Sequence, residues 1–124
     1  MKKILLIEDE ADIRTLYAGY LRDNGYEVIE AQDGIVGYTK AVEEDWDVML
    51  LDIMLPGQDG IALLKKIKPE DKTANKPIIA LTNLSVESVI TQVFDQGADG
   101  FLIKSEITPD KIVAEVESVL QKYS

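Results

Sequence analysis

Residues 47–57, Asp-Val-Met-Leu-Leu-Asp-Ile-Met-Leu-Pro-Gly, constrain this chain more than any other stretch. Four apolar residues, Val48 to Leu51, run unbroken into the carboxylate of Asp52, and Pro56 and Gly57 follow shortly after. A continuous apolar run of this length, bounded by turn residues, reads as a strand buried on both faces. Asp52 then stands at the carboxyl end of a central strand, the edge at which open α/β sheets bind their ligands.

The rest of the chain repeats the pattern. Residues 3–7 form a second apolar run, ending in Glu8 and Asp9. Ile13, Leu16, Tyr17, Tyr20 and Leu21 follow at helical spacing, and Asn24-Gly25 supplies a stop. Residues 26–31 alternate as a strand. A helix opens at Asp33-Gly34 and runs to about residue 44, with Tyr38, Ala41 and Val42 inward; Gly34 and Gly37 weaken it. After Asp52, a short helix begins past Asp59-Gly60 and carries Ile61, Leu64 and Ile67, and residues 68–76 read as a polar surface loop. Residues 77–82 form a strand with proline at its tolerated first position. Ser85 caps a helix bearing Val86, Val89, Ile90, Val93 and Phe94, which Gly97 stops. Residues 100–104 form the last strand. The final helix starts at Thr108-Pro109, threonine as cap and proline first, and buries Ile112, Val113, Val116, Val119 and Leu120. Strict βα alternation predicts one α/β domain over residues 1–124, a doubly wound, flavodoxin-like five-stranded parallel sheet. Architecture, rather than periodicity, gives the expected order 2-1-3-4-5, with helices on both faces.

Composition narrows the chemistry. The 124 residues suffice for one core, and 46% hydrophobic content excludes a disordered chain. With no cysteine and no histidine, thiolate or imidazole catalysis and metal ligation are excluded. A formal net charge of −10 argues against direct nucleic acid binding. The apolar run after Met1-Lys2-Lys3 stops too soon for a signal peptide, and no transmembrane span is present. The expectation is a soluble, cytoplasmic domain.

Five side chains fall at strand ends: Glu8 and Asp9, Asp52, Thr82 and Lys104. Any one alone would be a solvated carboxylate, a snorkelling lysine or a β-branched strand residue. Together they converge on one sheet edge. Clustered carboxylates raise one another's pKa or recruit a cation, and hard oxygens without nitrogen or sulfur suit Mg²⁺, Mn²⁺ or Ca²⁺.

In this order and spacing the chain resembles a receiver domain of the two-component response-regulator family, similar to the chemotaxis receiver. The resemblance rests on Glu8-Asp9, on Asp52 within Leu-Leu-Asp-Ile-Met-Leu-Pro-Gly-Gln-Asp-Gly, on Thr82 in Ala-Leu-Thr-Asn, and on Lys104 in Phe-Leu-Ile-Lys. It implies that Asp52 is a phosphoacceptor for a partner histidine kinase or histidine phosphotransfer protein. Glu8, Asp9, Asp52 and the backbone carbonyl of Met54 would bind Mg²⁺ (Mn²⁺ in its place). Thr82, Asn83 and Lys104 would contact phosphate, and Thr82 and Phe101 would form a switch that alters the surface of the fourth helix, fifth strand and fifth helix for a downstream effector. The expected assembly is a monomer or a phosphorylation-dependent homodimer. No turnover of an independent substrate is expected, since the domain only assists its own phosphorylation and dephosphorylation.

Three departures from the family pattern bear on this. Asn83 stands where a small residue is usual, and Ser105 where proline is usual. Met54 and Leu84 are both apolar, which predicts slow self-dephosphorylation. A haloacid-dehalogenase-like phosphatase would need a proton-exchanging aspartate where Met54 stands. A flavin binder would not tolerate Glu8-Asp9-Glu10 as its phosphate loop. The alternative is a pseudo-receiver, an interaction module that works without phosphorylation.

Overall fold

The computed structural model describes residues 1–54, 60–67, 76–83 and 87–122. Within them strands and helices alternate: β1 (Lys3–Ile7), α1 (Ala11–Asp23), β2 (Glu27–Ala31), α2 (Gly34–Glu43), β3 (Val48–Asp52), α3 (Gly60–Ile67), β4 (Ile78–Thr82), α4 (Glu87–Asp95), β5 (Gly100–Ile103) and α5 (Pro109–Lys122). The strands form one parallel sheet in the order β2-β1-β3-β4-β5, as expected. All five residues of β3 and of β4 are buried, which is why those segments read as unbroken apolar runs rather than alternating ones.

Strand parity divides the core into two layers. Ile4, Leu6, Val48, Leu50, Ile79 and Leu81 face one side, against Tyr17, Ala18 and Leu21 of α1 and Ile112, Val116 and Val119 of α5. Leu5, Ile7, Met49, Leu51, Ile78 and Ala80 face the other, against α2, α3 and α4. Trp46 closes that second layer, its Nε1 donating to the Ala41 carbonyl at 2.9 Å.

Local chemistry explains the ends. The Asp33 side chain accepts from the Val36 N–H at 2.8 Å and caps α2. Gly25 and Gly97 take φ of 87° and 102° and end α1 and α4, where the left-handed region favours glycine. The Thr108 hydroxyl accepts from Lys111 N–H at 3.3 Å at the start of α5. Gly37 does more than weaken α2. A Cβ there would lie 2.7 Å from Cδ1 of Ile7, so glycine permits the helix to press on β1.

Some expectations shift. Leu16 is exposed, because Tyr17, Ala18 and Leu21 set the buried stripe of α1 and leave residue 16 on its far side. In α3 Leu63 joins Leu64 and Ile67 in the core. The last strand ends at Ile103, beyond which β4 offers no pairing residue, and Lys104–Glu106 turn as a short 3₁₀ helix. Ser85, Val86 and the side chain of Val89 lie outside the described residues, as does most of the loop at 68–76.

Candidate functional site

Register builds the site. Ile7 of β1 pairs with Leu51 of β3, so one step on, Glu8 and Asp52 emerge side by side. Both continue the parity of Leu6 and Leu50, toward the α1/α5 layer. Lys104 continues the parity of Leu102 two strands away, and its long stem spans β4. Glu8, Asp52 and Thr82 are all buried. One oxygen each from Glu8, Asp9 and Asp52 lie within 4.8 Å of one another.

The Lys104 ammonium stands between two of these acids. Its Nζ donates to Asp52 Oδ2 at 3.0 Å and lies 2.6 Å from Glu8 Oε1, the latter an ion pair without hydrogen-bond geometry. The other Asp52 oxygen accepts from the Met54 N–H at 2.9 Å. Both Asp52 oxygens are thus aimed by donors, whereas neither oxygen of buried Glu8 has a hydrogen-bond partner. Gly60 sets the adjacent turn. Its N–H donates to Ile53 O at 3.0 Å, and a Cβ on it would fall 2.2 Å from Ile53 Cα and 2.7 Å from Asp52 O.

Charges so placed alter one another. Burial pushes the Glu8 carboxyl up to about 8, and neighbouring Asp52 adds to that while Lys104 opposes it. Burial also acts to raise Asp52, but the protonated Glu8 carboxyl beside it, the Met54 N–H and Lys104 outweigh it and hold Asp52 below its ordinary value. For Lys104 burial favours the neutral amine, and the two carboxylates overcome it, so its pKa rises. With Glu8 protonated, the charges of Asp52 and Lys104 balance; ionising Glu8 would leave one uncompensated negative charge in the buried site. An oxygen-only donor set with an orphaned buried carboxylate fits a hard divalent cation, which would replace the Glu8 proton.

Thr82 ends β4, buried, one residue past Leu81, the register partner of Asp52, and Asn83 is exposed after it. The Met54 side chain is 60% exposed, while Leu84 lies outside the described residues. Phe101 is half-buried against the α2–α4 layer and meets the exposed ring of Phe94 edge-on, centroids 5.9 Å apart at 89°. Ser105 is an exposed part of the 3₁₀ turn. The sequence reading missed Gly60, whose role depends on a tertiary approach, and Arg14, whose Nη1 donates to the Glu8 carbonyl at 2.8 Å.

This fold and this edge define a class of α/β domains with acids and a lysine at the carboxyl ends of β1, β3 and β5. The chain belongs to the response-regulator receiver domain family, whose model matches residues 4–117. It is 37% identical over 121 residues to the uncharacterized transcriptional regulatory protein YclJ of Bacillus subtilis, covering 98% of this chain and 52% of that protein. It is 36% identical over 127 residues to the phosphate regulon transcriptional regulatory protein PhoB of Escherichia coli, covering 99% and 53%. The chain thus spans about half the length of these curated relatives. Among solved structures, the chemotaxis protein CheY4 of Vibrio cholerae superposes with a TM-score of 0.91 at 28% identity, over 96% of this chain and 98% of that one. The receiver domain of sensor histidine kinase PA1611 from Pseudomonas aeruginosa, with magnesium coordinated in its active-site cleft, superposes with a TM-score of 0.83 at 30% identity, over 98% and 96%.

Proposed function

We propose that this chain is a phosphorelay receiver that takes a phosphoryl group onto Asp52. The observation that carries the reading is the Lys104 ammonium held at once against Asp52 and Glu8, with Asp9 completing the acidic cluster. In the reaction, an Asp52 oxygen attacks the phosphorus of a phosphohistidine on a histidine kinase or histidine phosphotransfer protein. A P–O bond forms, the P–N bond breaks, and the imidazole leaves with its electron pair, which suits a chain that has no histidine of its own. The Met54 N–H orients one Asp52 oxygen, and Lys104 stabilises charge on the transferring phosphoryl oxygens. Glu8 (through a water), Asp9, Asp52 and the Met54 carbonyl would hold Mg²⁺ or Mn²⁺, which when bound neutralises the same charge. The magnesium-bearing receiver of PA1611 supports that choice of ion.

The acyl phosphate brings about −1.5 to −2 charge and three acceptor oxygens into a buried pocket. The Thr82 hydroxyl and Asn83 reach toward these oxygens, and Phe101 follows Thr82 by turning inward from Phe94. That changes the face built by α4, β5 and α5, which we assign to the effector. The domain turns over no independent substrate and works in the cytoplasm. Incubation with acetyl phosphate and Mg²⁺ followed by intact mass tests this. A single phosphoryl adduct, absent from Asp52→Ala, is the expected result. A folded wild-type chain that takes up none would make it a phosphorylation-independent interaction module.

A further inference from the structure

Glu8 and Asp9 lie between β1 and α1, outside any regular element. What fixes the backbone on either side of Glu8 lies on the side of β1 away from Asp52. The Glu8 N–H donates to Ala31 O of β2 at 3.1 Å. The Glu8 carbonyl accepts Nη1 of Arg14, in the first turn of α1, at 2.8 Å. Arg14 is itself braced, its Nε donating to Glu30 Oε1 at 3.3 Å. The other Glu30 oxygen accepts Nη2 of Arg22 at 3.1 Å, and the Glu30 carbonyl accepts the Lys40 ammonium of α2 at 3.1 Å. A planar guanidinium can grip a carbonyl and a carboxylate at fixed angles, a geometry an ammonium does not reproduce.

We propose that Arg14, braced by Glu30, is a positioning residue for the metal-ligating acids. By holding the Glu8 carbonyl it fixes the plane of the Glu8–Asp9 peptide, and so the directions in which both carboxylates leave the backbone. The role rests on the reading of the acidic cluster as a Mg²⁺ site. It also makes a prediction opposite in sign to simple electrostatics. Removing a cation near an acidic pocket strengthens Mg²⁺ binding by Coulomb's law. Losing alignment weakens it, since outer-shell partners of metal ligands typically contribute about 10–100-fold in affinity.

Calorimetric titration of Mg²⁺ into wild type, Arg14→Ala, Arg14→Lys and Glu30→Ala decides between these, with the Asp9 amide resonance of each metal-free protein as a second readout. Arg14→Ala is expected to raise the Kd about tenfold and to shift the Asp9 amide, with a smaller effect for Arg14→Lys. Glu30→Ala is expected to weaken binding in the wild-type background and to add nothing once Arg14 is replaced. Unchanged or tighter binding by Arg14→Ala, beside a wild type that binds Mg²⁺, overturns the proposal. Should Arg14→Ala fail to fold, an unchanged Kd in both Arg14→Lys and Glu30→Ala overturns it equally. A folded wild type that binds no Mg²⁺ removes the metal-site reading itself, and the positioning role falls with it.

Discussion

Replacing Glu8 by glutamine keeps the shape of the side chain and removes one titrating group from the buried site. In the metal-free fold Glu8 holds its proton up to about pH 8, whereas an unfolded chain releases it near 4.5. A raised folded pKa means that its contribution to stability is fully present below about pH 4.5 and is lost as pH rises toward 8. One proton held by the folded state alone gives a slope of about −1.4 kcal/mol per pH unit. Between pH 5 and 8 the wild type therefore loses, relative to Glu8→Gln, about 4 kcal/mol at most. Asp52 and Lys104 titrate with the opposite slope or outside this window: Asp52, lowered, loses its contribution only as pH falls through the acid range, and Lys104, raised, only at alkaline pH. Urea unfolding in chelator at pH 5, 6, 7 and 8 measures the difference between the two proteins. Parallel profiles for wild type and variant would refute the argument, because they would mean that Glu8 is ionised in the fold throughout.

Other outcomes follow from the same contacts. Saturating Mg²⁺ should abolish the wild-type decline toward pH 8, and its binding near pH 7 should release about one proton, read as a buffer-dependent heat in calorimetry. Gly60→Ala, whose Cβ would fall 2.2 Å from Ile53 Cα, should cost about 1–3 kcal/mol or more in urea unfolding. Gly37→Ala should cost less, since there the nearest atom is the mobile end of the Ile7 side chain. Lys104→Ala should retain the fold but slow phosphoryl uptake from acetyl phosphate by about 10²–10³, the usual effect of losing one charge-stabilising donor. Replacing both Met54 and Leu84 by polar residues should speed loss of the acyl phosphate, followed by intact mass over time.

The sheet was legible because its central strands are buried on both faces and the punctuation between elements is chemical: Asp33 caps a helix, and Gly25 and Gly97 end two others. Glu8, Asp52 and Lys104 could be brought together on paper once the strand order was inferred, since each is the first charged residue after an apolar run. What escaped depends on contacts between distant segments. Arg14 and Glu30 meet 16 residues apart with no local signature. Gly37 read as a weak helix former and Gly60 as the residue before a short helix, although both positions are set by the atoms of β1 and the β3 end that press against them. Leu16 shares helical spacing with buried neighbours, yet an apolar residue in such a pattern carries no mark of which side of the stripe it occupies, and it is exposed. Trp46 drew no attention between two acids, yet the fold buries it and ties its indole to Ala41.

Locating the phosphoryl group is the most direct test of all. After reaction with acetyl phosphate and Mg²⁺, borohydride reduces an aspartyl phosphate to homoserine, and peptide sequencing by mass spectrometry then reads which residue was converted. Homoserine at position 52, and at none of the other carboxylates, is the predicted result. Conversion at Glu8 or Asp9, or an unmodified Asp52 in a protein shown to bind Mg²⁺, would contradict the account.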